Sequence, residues 1–319
     1  MQARRNRTHG WRRFASMALL VVLGFGLAAA DVTIEAFAAE KTTQITFDTP
    51  AAAGAALVQA AKDDDEIALS GMLGVDTKTL LSSGSKEQDK ADLQAFAGKY
   101  DIMSRWVEMS DGSRVLYIGA DNLAFPVPLA QDSSGRWYFD GVAGAQEIRA
   151  RDIGRNELLA IDACYALANA EQVYFAMHSS TPVYAQRIVS TDGKRDGLYW
   201  PASASRVPSP LAVLDEFAKS SLASASPNQP FVMDGYSFRM LTAQGDNAPG
   251  GTRSYVANGK LAGGFAVLAM PVRYAETGIM TFMVGPDGTV YEQDFGPDTA
   301  KIDRSIQTYN PNDDWSPVS

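Results

Sequence analysis

The stretch from Gly154 to Met177 carries the clearest helical pattern in the sequence, and the segments on either side of it limit what the chain can become. Leu158, Ile161, Tyr165, Ala168 and Phe175 fall on one stripe at helical spacing, with Arg155, Glu157, Asp162 and Glu171 elsewhere, so the pattern predicts a long helix with one buried face. Before it, Ala51–Ala61, Ile67–Leu73 and Asp92–Tyr100 read as short helices. They are followed by strand patterns at Ile102–Met109, Arg114–Gly119 and Arg136–Asp140, separated by Asp111-Gly112, a Pro126/Pro128 stretch and Asp132-Ser133-Ser134-Gly135. Beyond the long helix come a segment rich in turns and aromatics, Val183–Pro210, and a helical pattern at Leu211–Lys219. Strand patterns then follow at Tyr236–Gln244, Ser254–Asn258, Gly264–Pro271, Ile279–Val284 and Thr289–Asp294. Helices followed by antiparallel strands, twice over, predict an α+β protein: short helices with an antiparallel meander, then a long helix packed on an antiparallel sheet. The expected divisions are a leader at 1–38, an α+β domain at 39–150, a helix-on-sheet domain at 151–305 and an extended tail at 306–319.

Such a fold must be held by its cores, because Cys164 is the only cysteine and no intramolecular disulfide can form. Its place in an apolar helical pattern predicts a buried, inert thiol. The leader has the three parts of a secretion signal: arginines at 4, 5, 7, 12 and 13, an apolar run from Ala15 to Ala30, and Ala36-Phe37-Ala38 as a cleavage site. The run is shorter than the ~20 residues a spanning helix needs, so a periplasmic protein is expected, with an N-terminal membrane anchor as the alternative and no stable membrane insertion after cleavage. Phe14 directly follows Arg12-Arg13, which favours ordinary secretion over twin-arginine export. Loss of residues 1–38 removes five of the 28 basic and two of the 37 acidic residues and leaves a net charge of −12. That sign repels phosphate backbones, so nucleic acid is not an expected partner.

Catalytic signatures are scarce. His178 is the only histidine left after the leader is removed, which with one cysteine cannot furnish a zinc ligand set, and its place after the long helix predicts an interaction with terminal carbonyls. Gly98-Lys99-Tyr100, Gly193-Lys194-Arg195 and Gly259-Lys260-Leu261 all lack the Ser or Thr of a phosphate loop. Asp63-Asp64-Asp65-Glu66 and Asp313-Asp314 lack calcium-loop spacing and read as a solvated helix end and tail. No cofactor, metal or catalytic residue is therefore assigned. The strongest candidate for recognition is Arg187–Pro201. Asp192-Gly193 and Asp196-Gly197 form turns, Arg187, Lys194 and Arg195 concentrate positive charge in an acidic chain, and Tyr199 and Trp200 offer flat faces. The bland reading of the same residues is a hairpin whose Asp and Arg pair internally while Trp200 packs in the core. Phe125-Pro126-Val127-Pro128 reads as a proline-marked edge strand. The expected function is a non-catalytic binding or assembly protein whose partner is another envelope protein or an envelope polymer. The alternative is a carboxylate-dependent hydrolase of such a polymer.

Three stretches, Gly154-Arg155-Asn156-Glu157-Leu158, Tyr184-Ala185-Gln186-Arg187 through Asp192–Pro201, and Gly263-Gly264-Phe265, resemble the bacterial family of exported proteins known as domain of unknown function 2950. Leu241-Thr242-Ala243-Gln244-Gly245 and Asp294-Phe295-Gly296-Pro297-Asp298-Thr299 add to the resemblance. It implies an exported protein and carries over no activity or site residue. The element order of the first half is similar to the cone-shaped domains named after nuclear transport factor 2. In the second half, Asn156-Glu157, Gly235-Tyr236-Ser237-Phe238, Ala269-Met270-Pro271 and Thr281-Phe282 through Asp287-Gly288 resemble the globular part of type IV pilin-like proteins, which implies helix-on-sheet packing and a role in assembly. Gly24-Phe25 resembles a pilin processing site, but the apolar run mostly precedes it, so a polymerising pilin is not expected.

Overall fold

In the computed structural model, which describes residues 44–74, 84–178, 180–201, 207–213 and 216–318, each of the first three helices starts on a side-chain cap. Thr49 accepts the Ala52 N–H ahead of α1 (Pro50–Asp63), Asp65 accepts that of Ala68 ahead of α2 (Glu66–Leu73), and Ser85 accepts that of Gln88 ahead of α3 (Lys86–Ile102). Each bond satisfies one N–H that a helix start leaves open. The acidic run 63–66 is divided by these ends: Asp64 turns left-handed (φ 57°) to close α1, and Asp65 opens α2. The predicted leader lies outside the described residues.

The chain divides into two compact units after Arg151. In the first, β1 (Ser104–Glu108), β2 (Arg114–Ile118), β3 (Leu123–Ala124), β4 (Leu129–Gln131) and β5 (Trp137–Phe139) pair antiparallel in the order β1-β2-β4-β5, with β3 beside β2. Leu57, Leu69, Phe96, Leu116, Leu129 and Phe139 fill the core beneath the helices. Phe47 adds to the sheet by exchanging backbone hydrogen bonds with Trp137 at 2.7 and 2.8 Å. Phe125–Pro128, expected as an edge strand, is instead a link between β3 and β4 that buries Phe125 and Val127.

The long helix α4 runs from Gly141 to Met177, starting well before the expected Gly154. Asp140 supplies the cap, its carboxylate accepting the Ala143 N–H at 2.9 Å, and Gly144 is required a turn later because a Cβ there would stand 2.7 Å from Val127 Cγ2. The buried face bears out the expected stripe only in part: Ala168 is buried and Ile161 packs against the core. Ala160, Cys164, Leu167, Glu171 and Tyr174 are buried, whereas Leu158 and Tyr165 are 50% and 43% exposed. Leu167 and Tyr174 share the inner face with the small Ala160 and Cys164, so position on the helix, not side-chain size, separates them from Leu158 and Tyr165.

In the second unit, β6 (Phe231–Met233) and β7 (Tyr236–Leu241) precede an insertion carrying two short pairs. These are β8 (Ala243–Gln244) with β9 (Arg253–Ser254), and β10 (Val256–Ala257) with β11 (Lys260–Leu261). Then β12 (Ala266–Pro271), β13 (Thr281–Val284), β14 (Val290–Gln293) and β15 (Ser316–Pro317) complete a six-stranded antiparallel sheet in the order β15-β14-β13-β12-β7-β6. Register sorts its side chains. Phe238, Ala269 and Phe282, and next to them Val267, Val284 and Val290, share a core with α4. Leu268, Met270 and Met283 point to the opposite face, where Tyr309 and Trp315 cover them. With both faces covered, every residue of β12 and β13 is buried, which accounts for the apolar run of β12 and for Phe282-Met283-Val284 in β13. Of residues 306–319, expected as an extended tail, the described 306–318 thus complete a core and an edge strand. Arg239 holds this segment by donating to the carbonyls of Asp303 and Ile306 and pairing with the Asp303 carboxylate at 3.2 Å.

Candidate functional site

The candidate site is the segment from Val183 to Pro201. It is fixed at its start by Tyr184, whose N–H donates to Leu261 O at 2.7 Å, and by Gln186, whose side-chain amide donates to Gly259 O at 2.7 Å. The chain then closes on itself. Ser190 N–H donates to Tyr199 O at 2.8 Å and Tyr199 N–H to Ile188 O at 2.9 Å, so the two limbs lie side by side. Gly197 permits that approach, because a Cβ there would stand 2.7 Å from the backbone at Ser190 and Val189. At the tip, Lys194 N–H donates to Thr191 O at 2.8 Å around Gly193, whose φ of +72° suits a turn that only glycine enters freely.

The seven residues singled out from sequence separate into three groups. Arg187 and Asp196 form the base of the loop. Their charges pair at 3.7 Å, Asp196 accepts from the amide and hydroxyl of Thr191 at 2.8 and 2.9 Å, and Arg187 donates to Thr191 Oγ1 and Asn228 Oδ1. Burial works against the Asp196 charge, but the Thr191 donors and the Arg187 guanidinium outweigh it and hold its carboxyl below the usual range. Tyr199 and Trp200 belong to the core, at 9% and 7% exposed, and the Trp200 indole donates to Val207 O at 3.2 Å. They cannot supply flat faces to a partner. Asp192, Lys194 and Arg195 form an exposed tip, with the Arg195 guanidinium 5.7 Å from the Trp200 ring centre. The internal Arg–Asp pair and buried Trp200 are those of the bland hairpin, and the tip remains as the part open to solvent.

The C-terminal half of α4 supports this loop with residues that the sequence stripe had set aside or passed over. Glu171 is 0% exposed; one carboxyl oxygen accepts the Ala185 N–H at 2.8 Å, and the other is buried with no hydrogen-bond partner among the described residues. Burial raises its carboxyl well above the usual range, and the Ala185 amide opposes this only in part. One turn on, the Tyr174 hydroxyl donates to Arg195 O at 2.8 Å. His178 stacks on the Tyr174 ring at 4.3 Å and lies 2.9 Å from the Tyr174 carbonyl, the helix-end contact expected of it. The signal for Glu171 was present in the sequence: it falls at the helical interval between Leu167 and Tyr174. The Cys164 thiol, pushed up to about 12 by complete burial, is inert as expected.

A second cluster lies nearer the start of the unit. Asn156 donates to Thr277 O at 3.0 Å, and Glu157 accepts the N–H groups of Ile279 and Met280 at 2.8 and 3.0 Å with a single oxygen. The Tyr236 hydroxyl donates to Met280 O at 2.7 Å. Glu292, on the α4-facing side of β14, is half-buried, and burial together with Glu157 raises its carboxyl. Among the described residues there is no group of three His, Cys, Asp or Glu side chains able to hold a metal ion, and no helix is long and apolar enough to cross a membrane.

The family described as "Protein of unknown function (DUF2950)" matches residues 44–318. The chain belongs to that family. No curated protein and no solved structure matches it. Two of the stretches that carried the resemblance to DUF2950 meet at this site, where Tyr184 packs its ring 5.1 Å from that of Phe265. A third, Asn156-Glu157, holds the loop at Thr277–Met280.

Proposed function

We propose that this DUF2950 chain is an exported periplasmic protein that binds or assembles with another envelope protein or a cell-envelope polymer, without catalysis, and that the tip Asp192–Arg195 is its recognition surface. One observation carries this reading: the tip is exposed while the loop beneath it is fixed by the Arg187–Asp196 pair, the Thr191 bonds and the buried Leu198, Tyr199 and Trp200. A surface held ready in one shape loses little freedom on binding. Lys194 and Arg195 also place positive charge together on a chain that is strongly acidic after loss of its leader. The test is a crosslinked pull-down from envelope extract with the mature protein and with a Lys194→Gln/Arg195→Gln variant. Arg187 stays in place because it belongs to the base of the loop. Capture lost in the variant supports the reading, and equal capture by both proteins overturns the assignment of the tip.

A carboxylate-dependent hydrolase of an envelope polymer is the second reading, favoured by the raised Glu292 carboxyl beside Glu157. It expects release of soluble fragments from envelope polymer by the unaltered protein and none by Glu292→Gln. Absence of release by the unaltered protein removes it.

A further inference from the structure

The recognition loop is fastened to α4 at two points of different chemistry. Tyr174 grips Arg195 O through a hydroxyl, and Glu171 grips the Ala185 N–H through a carboxyl group with no exposure to water. We infer that Glu171 is a pH-sensitive lock: while it keeps its proton the segment 183–200 stays docked on α4, and loss of the proton as the pH rises releases that segment.

The argument rests first on geometry. A carboxylate at this position would be a buried charge with a single N–H donor on one oxygen and none on the other. Neither oxygen is paired with a cation among the described residues. The titratable groups around it offer no relief. Tyr174, on the same helix, has its hydroxyl committed to Arg195 O, and burial followed by the charges of Glu171 and Asp196 raises that phenol. Tyr184, from the segment itself, is raised by burial and then by Glu171, while Arg253 of β9 acts on it in the opposite sense. Arg253 is already engaged with Gln244 Oε1 at 3.0 Å, and Arg187 with Asp196 at 3.7 Å. His178 stacks on Tyr174. Water is therefore the remaining source of stabilisation for an ionised Glu171, and it enters only if the segment lifts.

The sign follows from linkage. In the docked state burial raises the Glu171 carboxyl, and in the lifted state it returns to its ordinary value near 4.5. Docking thus binds the proton more tightly. It is fully supported below the ordinary value and weakens as the pH climbs toward the docked-state value, by up to about tenfold in the docking equilibrium per pH unit for one proton. This lock concerns the segment alone and stands whether or not its tip captures a partner.

Amide exchange of the mature protein, corrected for intrinsic base catalysis and followed from pH 5 to pH 8, reads the docking equilibrium directly. The amides of Tyr184 and Ala185, which donate to Leu261 O and to Glu171 outside the segment, are expected to lose protection by up to about tenfold per pH unit, while those of β14 keep theirs. In Glu171→Gln, which retains an oxygen for Ala185 and carries no titrating proton, protection of the same amides is expected to be independent of pH. Unchanged protection in the unaltered protein, or an equal fall in Glu171→Gln, overturns the lock. Should the glutamine variant fail to fold, the carboxyl carbon resonance of Glu171 in the unaltered protein decides: a midpoint above the ordinary glutamate range supports the lock and one within that range overturns it.

Discussion

Two glutamates on one helix hold two loops in different ways. Glu157 gathers two backbone N–H groups on one oxygen at a half-buried position, where water also reaches the side chain. Glu171, on the buried stripe of the same helix, has one N–H donor and no water. The same side chain therefore acts as a fixed pin at one level and as a proton-dependent catch at the other, because the free energy of a carboxyl group depends on what surrounds it. The loop at Thr277–Met280 also has Asn156 and Tyr236 to hold it, so three side chains bond to it, where among the described residues two hydrogen bonds from α4 hold the loop at 183–201.

The largest effect expected from breaking this comparison comes from Gly278→Ala. A Cβ there would stand 2.6 Å from Tyr236 Cζ, so Tyr236 must move and its bond to Met280 O is lost. Urea unfolding should report a loss of about 3 kcal/mol, combining overpacking with a broken hydrogen bond. Glu157→Ala strands the N–H groups of Ile279 and Met280 and should cost about 2 kcal/mol by the same measurement. Tyr174→Phe removes only the hydroxyl bond to Arg195 O. It should cost about 1 kcal/mol, and the loss should appear as faster amide exchange within 185–200 with little change in β12 to β14. A reversal of the last two would mean that the loop at 183–201, rather than the loop at Thr277–Met280, carries the greater share of the second unit's stability.

Element types were legible in the sequence because periodicity and turn formers reported them directly. Asp111-Gly112 marked the turn between β1 and β2, and the acid run at 63–66 marked a helix end, though not that Asp65 also opens the next helix. The phase of α4 was not legible by size of side chain. Leu158 and Tyr165 suggest an inner face, yet Ala160, Cys164 and Leu167 are the residues buried there, and size does not distinguish Leu167 from Leu158. That error of phase also hid Glu171, which was assigned to the polar side. At the candidate site, the internal pairing of Arg187 with Asp196 was foreseeable from their spacing around two Asp-Gly turns. The burial of Tyr199 and Trp200 depends on Val207 and on the core beneath, which local sequence does not announce. The role of residues 306–319 was hidden for a related reason: Tyr309 and Trp315 find their partners on strands that precede them, so their burial is a long-range fact.

Those last residues impose an order on synthesis. On the back of the second sheet, Leu268, Met270 and Met283 share a cluster with Ala248, Tyr255 and Leu261 but are fully covered only once Tyr309 and Trp315 have been made, and Arg239 must wait for Asp303 and Ile306 before its guanidinium is satisfied. A nascent chain that stalls before Tyr309 therefore leaves part of that apolar surface open to chaperones and proteases until Tyr309 and Trp315 have been added.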